Sequence, residues 1–476
     1  MFADAQPAVA ELVRQRVATA VVPSSVYTVF TAGGLAFGGC FGTASTDGRA
    51  PTFDTAYRIA SCTKSFTAAA VLQLRDANAL RLDDPITDYL DIGTFELPNA
   101  ARVSTPTVGA LLSMSAGLAT DNAWADRQES MPSAAFDALC ADGFTLSSPP
   151  GTRYEYSNLG YALLGRVIER ASGVGYREFV TRHLLEPLGL QHAAFDARRV
   201  TAPGGLADGF RRVDNRWQPV PLSGPGAFSA IGGLFMSARE LTRWCTWLAG
   251  GYPMGAAGDD VLAASSRREM QMLHQLDPAR INGSIRTAGY GFGLEVELHD
   301  VGLIVSHRGG YPGFSTQMAW HPDTQIGVVI MENAPYARSP AVTALRQVLA
   351  MVPVPPPVIW PVTLRARDDI ERLLAQWDDT VADQIFADNL DVDQPRNLRR
   401  AEFSRIAARI GFTNDCRGRP VGYCDFSSDS AAHLEWTARG HRGSVRCAVA
   451  LTSLRPPRVQ SIELRETNIQ DQPATE

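Results

Sequence analysis

Lysine is almost missing from this chain. Of the 44 Lys and Arg residues among its 476, Lys64 is the single lysine and all the others are arginine. A background so depleted marks position 64 as one where arginine would not serve. Arginine keeps its proton at any physiological pH, whereas a lysine ammonium gives its proton up readily when buried. The residue kept at 64 is therefore one that can act as a base.

Other features are scarce as well. No run of about 18 apolar residues occurs, so no membrane-spanning helix is expected. The formal net charge is −6 and the Arg pairs are short and scattered, so neither nucleic acid nor an anionic membrane is an expected partner. The N-terminus, "MFADAQPAVAELVRQRVATA", lacks the basic stretch and apolar block of a signal peptide. Seven cysteines, odd in number and widely spread, suit free thiols in a reducing compartment, and a cytoplasmic location is expected. Cys416 and Cys424 have no second Cys/His pair nearby, so no metal site is expected.

What remains is an ordinary globular composition, 45% hydrophobic and 20% charged, sufficient for more than one core. Residues 8 to 21 carry valines at helical spacing, and "SSVYTVFTAGGLAFGGCFG" reads as two strands joined by Gly-Gly. Helical blocks follow, and then short β-rich runs such as "GLIVSHRGG" and "IGVVIMEN" before a closing helix. The pattern predicts an α+β fold, an antiparallel sheet flanked by helices with a large helical region, about 65–285, inserted between strands. The five prolines of "VPVPPPVIWPV" predict a connector at 352–362 between a domain of residues 1–351 and a small C-terminal α+β domain, 363–476. In that tail two helical patterns, about 366–388 and 396–411, precede antiparallel strands.

Three stretches carry chemistry. Ser61 and Lys64 stand three residues apart at the start of a helical pattern, one turn apart on one face, so they can touch. A serine hydroxyl becomes a nucleophile when a neighbouring base takes its proton. Tyr156-Ser157-Asn158 precedes another helical pattern and reads as a general acid–base tyrosine near a cation, drawn toward its phenolate, or as a plain helix cap. His307-Arg308-Gly309-Gly310 lies at a strand end, where glycines offer backbone N–H groups to an oxyanion, or simply close a hairpin. "TDNAWADRQ", Thr120 to Gln128, is polar, aromatic and close in sequence to "SAGL"; a plain loop is the expected reading and a cleft-lining segment the alternative, and His183 and His321 are expected to be structural. Ser223 and Ser229 lack the G-x-S-x-G elbow, so no second hydrolase site is expected around them.

In this order the three motifs resemble the serine β-lactamase and penicillin-binding-protein superfamily, and most closely its class C branch with the family VIII esterases and D-amino-acid peptidases. The resemblance spans about residues 8 to 350 and includes "LLSMSAGL". It implies Ser61 as nucleophile, Lys64 as its activating partner and Tyr156 as general base and leaving-group acid. It further implies substrate contacts from Asn158, His307 and Gly309, an oxyanion hole from the N–H groups of Ser61 and Gly310, and no cofactor. One departure matters: the third motif begins with His307 where the lactamase pattern usually has lysine, which weakens any hold on a substrate carboxylate. A serine hydrolase of a small ester, amide or D-amino-acid peptide is the expected function, with self-association open. The rivals are a D,D-peptidase or β-lactamase, and a non-catalytic scaffold that keeps the fold.

Overall fold

Valines at helical spacing place Val9 and Val13 on the inward face of the first helix, α1 (Ala5–Ala18), in a computed structural model describing residues 2–98, 103–253, 260–335, 339–352, 358–417, 426–428 and 430–466. The hairpin of β1 (Ser24–Thr31) and β2 (Gly34–Gly42) follows. It turns at Ala32 and Gly33, and Gly34, the first residue of β2, takes a φ of 95° that side chains disfavour. The chain then leaves the sheet for a helical region containing α2 (Thr63–Asp76), α3 (Asn158–Ser172) and α4 (Ala238–Ala249). It returns through β3 (Gln275–Leu276), β4 (Thr287–Tyr290), β5 (Glu295–His299), β6 (Gly302–Tyr311), β7 (Phe314–His321) and β8 (Ile326–Glu332), and closes with α5 (Ala341–Met351).

The strands form one antiparallel sheet in the order β2-β1-β8-β7-β6-β5-β4-β3. Both ends of the region build it, as the pattern predicts, but the return begins at Gln275 and not near 285. The reason is length: β3 has two residues, too few to show a period of two.

Alternation along the strands separates two cores. Tyr27, Val29, Val328 and Ile330 face α1 and α5, while Val26, Phe30, Val329 and Met331 face the inserted helices. On that second face the Trp244 ring stacks on Phe66, centroids 3.8 Å apart, and its indole N–H donates to Ser65 Oγ at 3.0 Å. That contact locks α2 against α4.

Chain contacts divide the molecule into two units, Met1–Val354 and Pro355–Glu476. The second unit has α6 (Pro361–Ala375), α7 (Arg396–Ile410) and an antiparallel sheet of β9 (Phe426–Ser427), β10 (His433–Arg439), β11 (Ser444–Leu451) and β12 (Val459–Glu466). Leu434, Trp436 and Ala438 alternate inward from β10 onto a core that includes Leu374 and Phe403. The first helical pattern is broken where the sequence reading had it continuous. A new short helix, Asp379–Ile385, starts under the Asp378 side chain, which accepts from the Thr380 N–H. Of the expected connector, residues 353–357 lie outside the described residues. Pro361 is the first residue of α6, a position that needs no N–H. Cys424 also lies outside the described residues. Cys416 is buried beside Asp415 and His441, the three ligand atoms lying within 4.8 Å of one another.

Candidate active site

The strand Ala56–Arg58 leads into a tight turn, Ala60–Cys62, and then into α2, so the helix begins two residues after Ser61. Ala60 takes a φ of 48°, a left-handed conformation unusual for a residue with a side chain, and it presents Ser61 at the cleft wall. Lys64 is wholly buried one turn on. Its ammonium nitrogen lies 3.2 Å from Ser61 Oγ, 2.7 Å from Asn158 Oδ1 and 2.9 Å from the Ile231 carbonyl. Those three acceptors decide what a neutral amine can do. A neutral lysine has two N–H bonds and one lone pair. With the N–H bonds spent on Asn158 and Ile231, the lone pair faces the Ser61 hydroxyl. Burial pulls the Lys64 pKa down to about 7, against the opposing pull of Asp126 and Asp121.

Tyr156 precedes α3 and lines the same cleft as Ser61, whose side chain acts to lower the Tyr156 pKa. Lys64 Nζ stands 5.1 Å from the centre of the Tyr156 ring. The expected drift of Tyr156 toward phenolate does not occur. Burial pushes its pKa well above the usual tyrosine value and outweighs every favourable contact, so Tyr156 rests as a neutral hydroxyl. Ser157 is the N-cap of α3, accepting from the Gly160 N–H. The cap and the site coexist: capping by Ser157 aims Asn158, the first residue of α3, at Lys64.

His307 sits in β6, fully buried. Its Nδ1 lies 2.8 Å from the Arg308 carbonyl and its Nε2 lies 2.8 Å from the Tyr290 hydroxyl. A carbonyl accepts only, so Nδ1 carries the proton and Nε2 receives one from Tyr290. Burial lowers the His307 pKa to about 4, so the ring is neutral. Gly309 is required by close approach, since a Cβ there would stand 2.2 Å from the Ile59 carbonyl and 3.1 Å from the Ser61 nitrogen. Gly310 pairs with Ser315 across β6 and β7 and lines the same cleft as Ser61.

The cleft holds about 450 Å³, and Asn122, Asp126 and Arg308 also line it. The 120–128 stretch therefore follows the cleft-lining alternative and not the plain loop. Asn122 Oδ1 accepts from Asn158 Nδ2 at 2.6 Å, and Asp121 accepts from the N–H groups of Asn158 and Leu159, each at 2.8 Å, at the positive end of α3. Two acids and an asparagine within seven residues were the available signal, but only the fold brings them to α3. Arg58 and Glu129 escaped the sequence reading entirely. They form a buried ion contact of 3.2 Å, electrostatic more than a directed hydrogen bond. Arg58 Nε also donates to the Gly232 carbonyl at 3.0 Å, and Ser229 Oγ donates to Glu129 at 3.1 Å. This group anchors the segment that carries the Ile231 carbonyl. Ser229 is thus structural, and Ser223 bonds Arg58 and the Tyr311 hydroxyl.

The Beta-lactamase family profile matches residues 9–351. The chain belongs to that family. This Beta-lactamase family member is 26% identical over 303 residues to the unguisins hydrolase of Aspergillus campestris, a match covering 62% of this chain and 55% of that protein. It is 26% identical over 304 residues to penicillin-binding protein 4 of Amycolatopsis lactamdurans, covering 63% and 78%. The chain thus spans little more than half of the first of these relatives. In fold it is similar to an octameric penicillin-binding protein homologue from Pyrococcus abyssi, with a TM-score of 0.63 and 23% identity over 94% of this chain and 91% of the other. The hydrolase EstCE1, described as having promiscuous acyltransferase activity, matches with a TM-score of 0.61 and 18% identity over 72% of this chain and 98% of its own. No helix among the described residues is long and apolar enough to cross a membrane.

Proposed function

We propose that this protein is a serine hydrolase that opens small esters or amides, D-amino-acid derivatives included, through an acyl-enzyme at Ser61. The observation that carries the reading is the buried Lys64 amine, 3.2 Å from Ser61 Oγ, with its other two bonds directed away. The Ser61 proton passes to neutral Lys64 as Oγ bonds to the substrate carbonyl carbon. The oxyanion rests on the N–H groups of Ser61 and Gly310. Tyr156 hands its hydroxyl proton to the departing alcohol or amine as the scissile bond breaks, and the proton that Lys64 took from Ser61 restores the Tyr156 hydroxyl. Water then attacks the acyl carbon, its proton returns through the same groups to Ser61 Oγ, and the acid leaves. The neutral His307 supports esters and amides over substrates held by a carboxylate. The octameric assembly of the Pyrococcus abyssi neighbour supports self-association here too.

The test is hydrolysis of a short-chain nitrophenyl ester by wild type, Ser61→Ala and Lys64→Arg, with intact mass recorded after a fluorophosphonate. We expect one label on the wild type, and loss of at least about 10³-fold in rate for both variants. Full activity in Lys64→Arg would remove lysine from the mechanism. A wild type that neither labels nor turns over would leave a scaffold as the better reading, whereas a lasting penicillin adduct at Ser61 would favour a D,D-peptidase.

A further inference from the structure

Three ligating side chains meet at one point of the C-terminal unit. Asp415, Cys416 and His441 form the group among the described residues in which carboxylate, thiol and imidazole ligand atoms all lie within 4.8 Å of one another. Spacing along the chain gives no sign of it, since Cys416 has no second Cys/His pair beside it. The fold brings His441 back. α7 ends at Ile410, and the chain runs through Gly411 into the short turn Asn414–Cys416. The connection between β10 and β11 is tied to that helix end by its backbone: the Arg442 N–H donates to the Ile410 carbonyl at 2.8 Å and the His441 N–H to the Gly411 carbonyl at 3.1 Å. A Cβ at Gly440 would stand 2.3 Å from the Ile410 carbonyl, so only glycine permits the approach. Both segments are thus held in register by the main chain, and the three side chains meet without the ordering of a loop.

Their chemistry suits a borderline divalent ion. Thiolate sulfur, imidazole nitrogen and carboxylate oxygen are the donors of zinc sites, and one thiolate with one carboxylate balances the charge of a dication. His441 Nε2 already lies 2.9 Å from Asp415 Oδ2. The Thr413 hydroxyl stands at the same focus, donating to Asp415 Oδ1 and lying 3.4 Å from His441 Nε2 and 3.7 Å from Cys416 Sγ. Ligand atoms around tetrahedral zinc stand about 3.3–3.6 Å apart, so rotation of the Asp415 and His441 side chains is enough to close the set. Cys416 is buried whereas the Asp415 and His441 side chains are more than half exposed, so an ion enters from solvent and water completes the tetrahedron. The Thr413 hydroxyl, with His441 beyond it, holds the Asp415 carboxyl below the usual carboxylate range, which keeps it charged. We propose that Asp415, Cys416 and His441 bind one Zn²⁺ ion, which clasps the β10–β11 connection to the end of α7. On binding, the Cys416 thiol releases its proton to solvent and the Asp415–His441 contact opens around the ion, with the neutral imidazole coordinating through Nε2 and keeping its proton on Nδ1.

The experiment titrates the full chain, reduced and stripped with a chelator, with Co²⁺ and then with Zn²⁺, beside His441→Ala, Asp415→Ala and Cys416→Ser. Cobalt bound by a thiolate shows a sulfur-to-metal charge-transfer band in the near ultraviolet, and tetrahedral cobalt shows strong visible bands. For the wild type we expect both at one equivalent of Co²⁺ and their loss when Zn²⁺ displaces it. Zn²⁺ affinity, read by competition with a chromophoric chelator, should fall about tenfold or more in each variant, and the charge-transfer band should vanish in Cys416→Ser. Zn²⁺ should also raise the unfolding temperature of the wild type and leave that of His441→Ala unchanged. The exposed side chains of His441 and Asp415 make these two variants the decisive pair should Cys416→Ser fail to fold. A wild type without the thiolate and tetrahedral bands overturns the site. So does a spectrum and an affinity unchanged in folded His441→Ala and Asp415→Ala, which would place the ion on other cysteines. Either result leaves acyl transfer at Ser61 standing.

Discussion

A buried amine with a pKa of about 7 changes charge within the physiological range, so under the proposed mechanism Lys64 is expected to set the acid limb of the reaction. The base form is the neutral one. Below about pH 7 Lys64 gains a proton, its lone pair is lost, and kcat/KM falls by up to tenfold per pH unit. Above it the rate reaches a plateau. His307, with its pKa lowered to about 4, is neutral across that range and adds no limb near 7. Removing the charge of Asp126 withdraws the largest of the carboxylate influences that raise the Lys64 pKa, with Asp121 and Glu129 still facing it. The limb should therefore move to lower pH in Asp126→Asn, as measured by kcat/KM of a neutral ester against pH. A limb that stays in place would show that another group titrates there.

At the scale of elements, the site depends on two segments meeting α2. One is the first turn of α3, which Asp121 and Ser157 cap and which delivers Asn158. The other is the 229–232 turn, tied to the strand before Ser61 through Arg58 and Glu129. Cutting that second tie with Glu129→Ala leaves the Arg58 guanidinium buried without its counter-charge, at a cost of about 3–5 kcal/mol. Chemical denaturation should show this loss, and the rate of Ser61 labelling should fall with it as the Ile231 carbonyl loses its support. A variant as stable and as quickly labelled as the wild type would show that Arg58 finds other partners.

For the whole molecule, the apolar clusters divide in the same way as the chain, with two against the faces of the large sheet and a third, around Trp436 and Phe403, within residues 355–476. Separate cores predict separate cooperative transitions. We propose that the C-terminal unit is an independent domain and expect two unfolding steps in calorimetry. Glu129→Ala should displace only the step assigned to the first unit, and a single transition shifted as a whole would contradict the division.

How much of this was legible beforehand follows from the range of the interactions. Ser61 and Lys64 are one helical turn apart, so their contact was written in a spacing of three residues. The hairpin of β1 and β2, the division of the sheet between the two ends of the region and the Gly309-Gly310 pair in β6 are likewise local patterns, visible in alternation and in Gly pairs. The environment of the lysine is another matter. Its partners Asn158 and Ile231 stand 94 and 167 residues away, and the carboxylates that set its proton affinity come from a segment that reads as an ordinary polar loop. Burial and Coulomb fields are sums over neighbours in space, and no spacing along the chain encodes them. Composition and motif could therefore say that a base was needed at 64. Its pKa, the neutrality of Tyr156 and His307, and the Asp126 carboxylate that acts on it were decided when distant segments packed around α2.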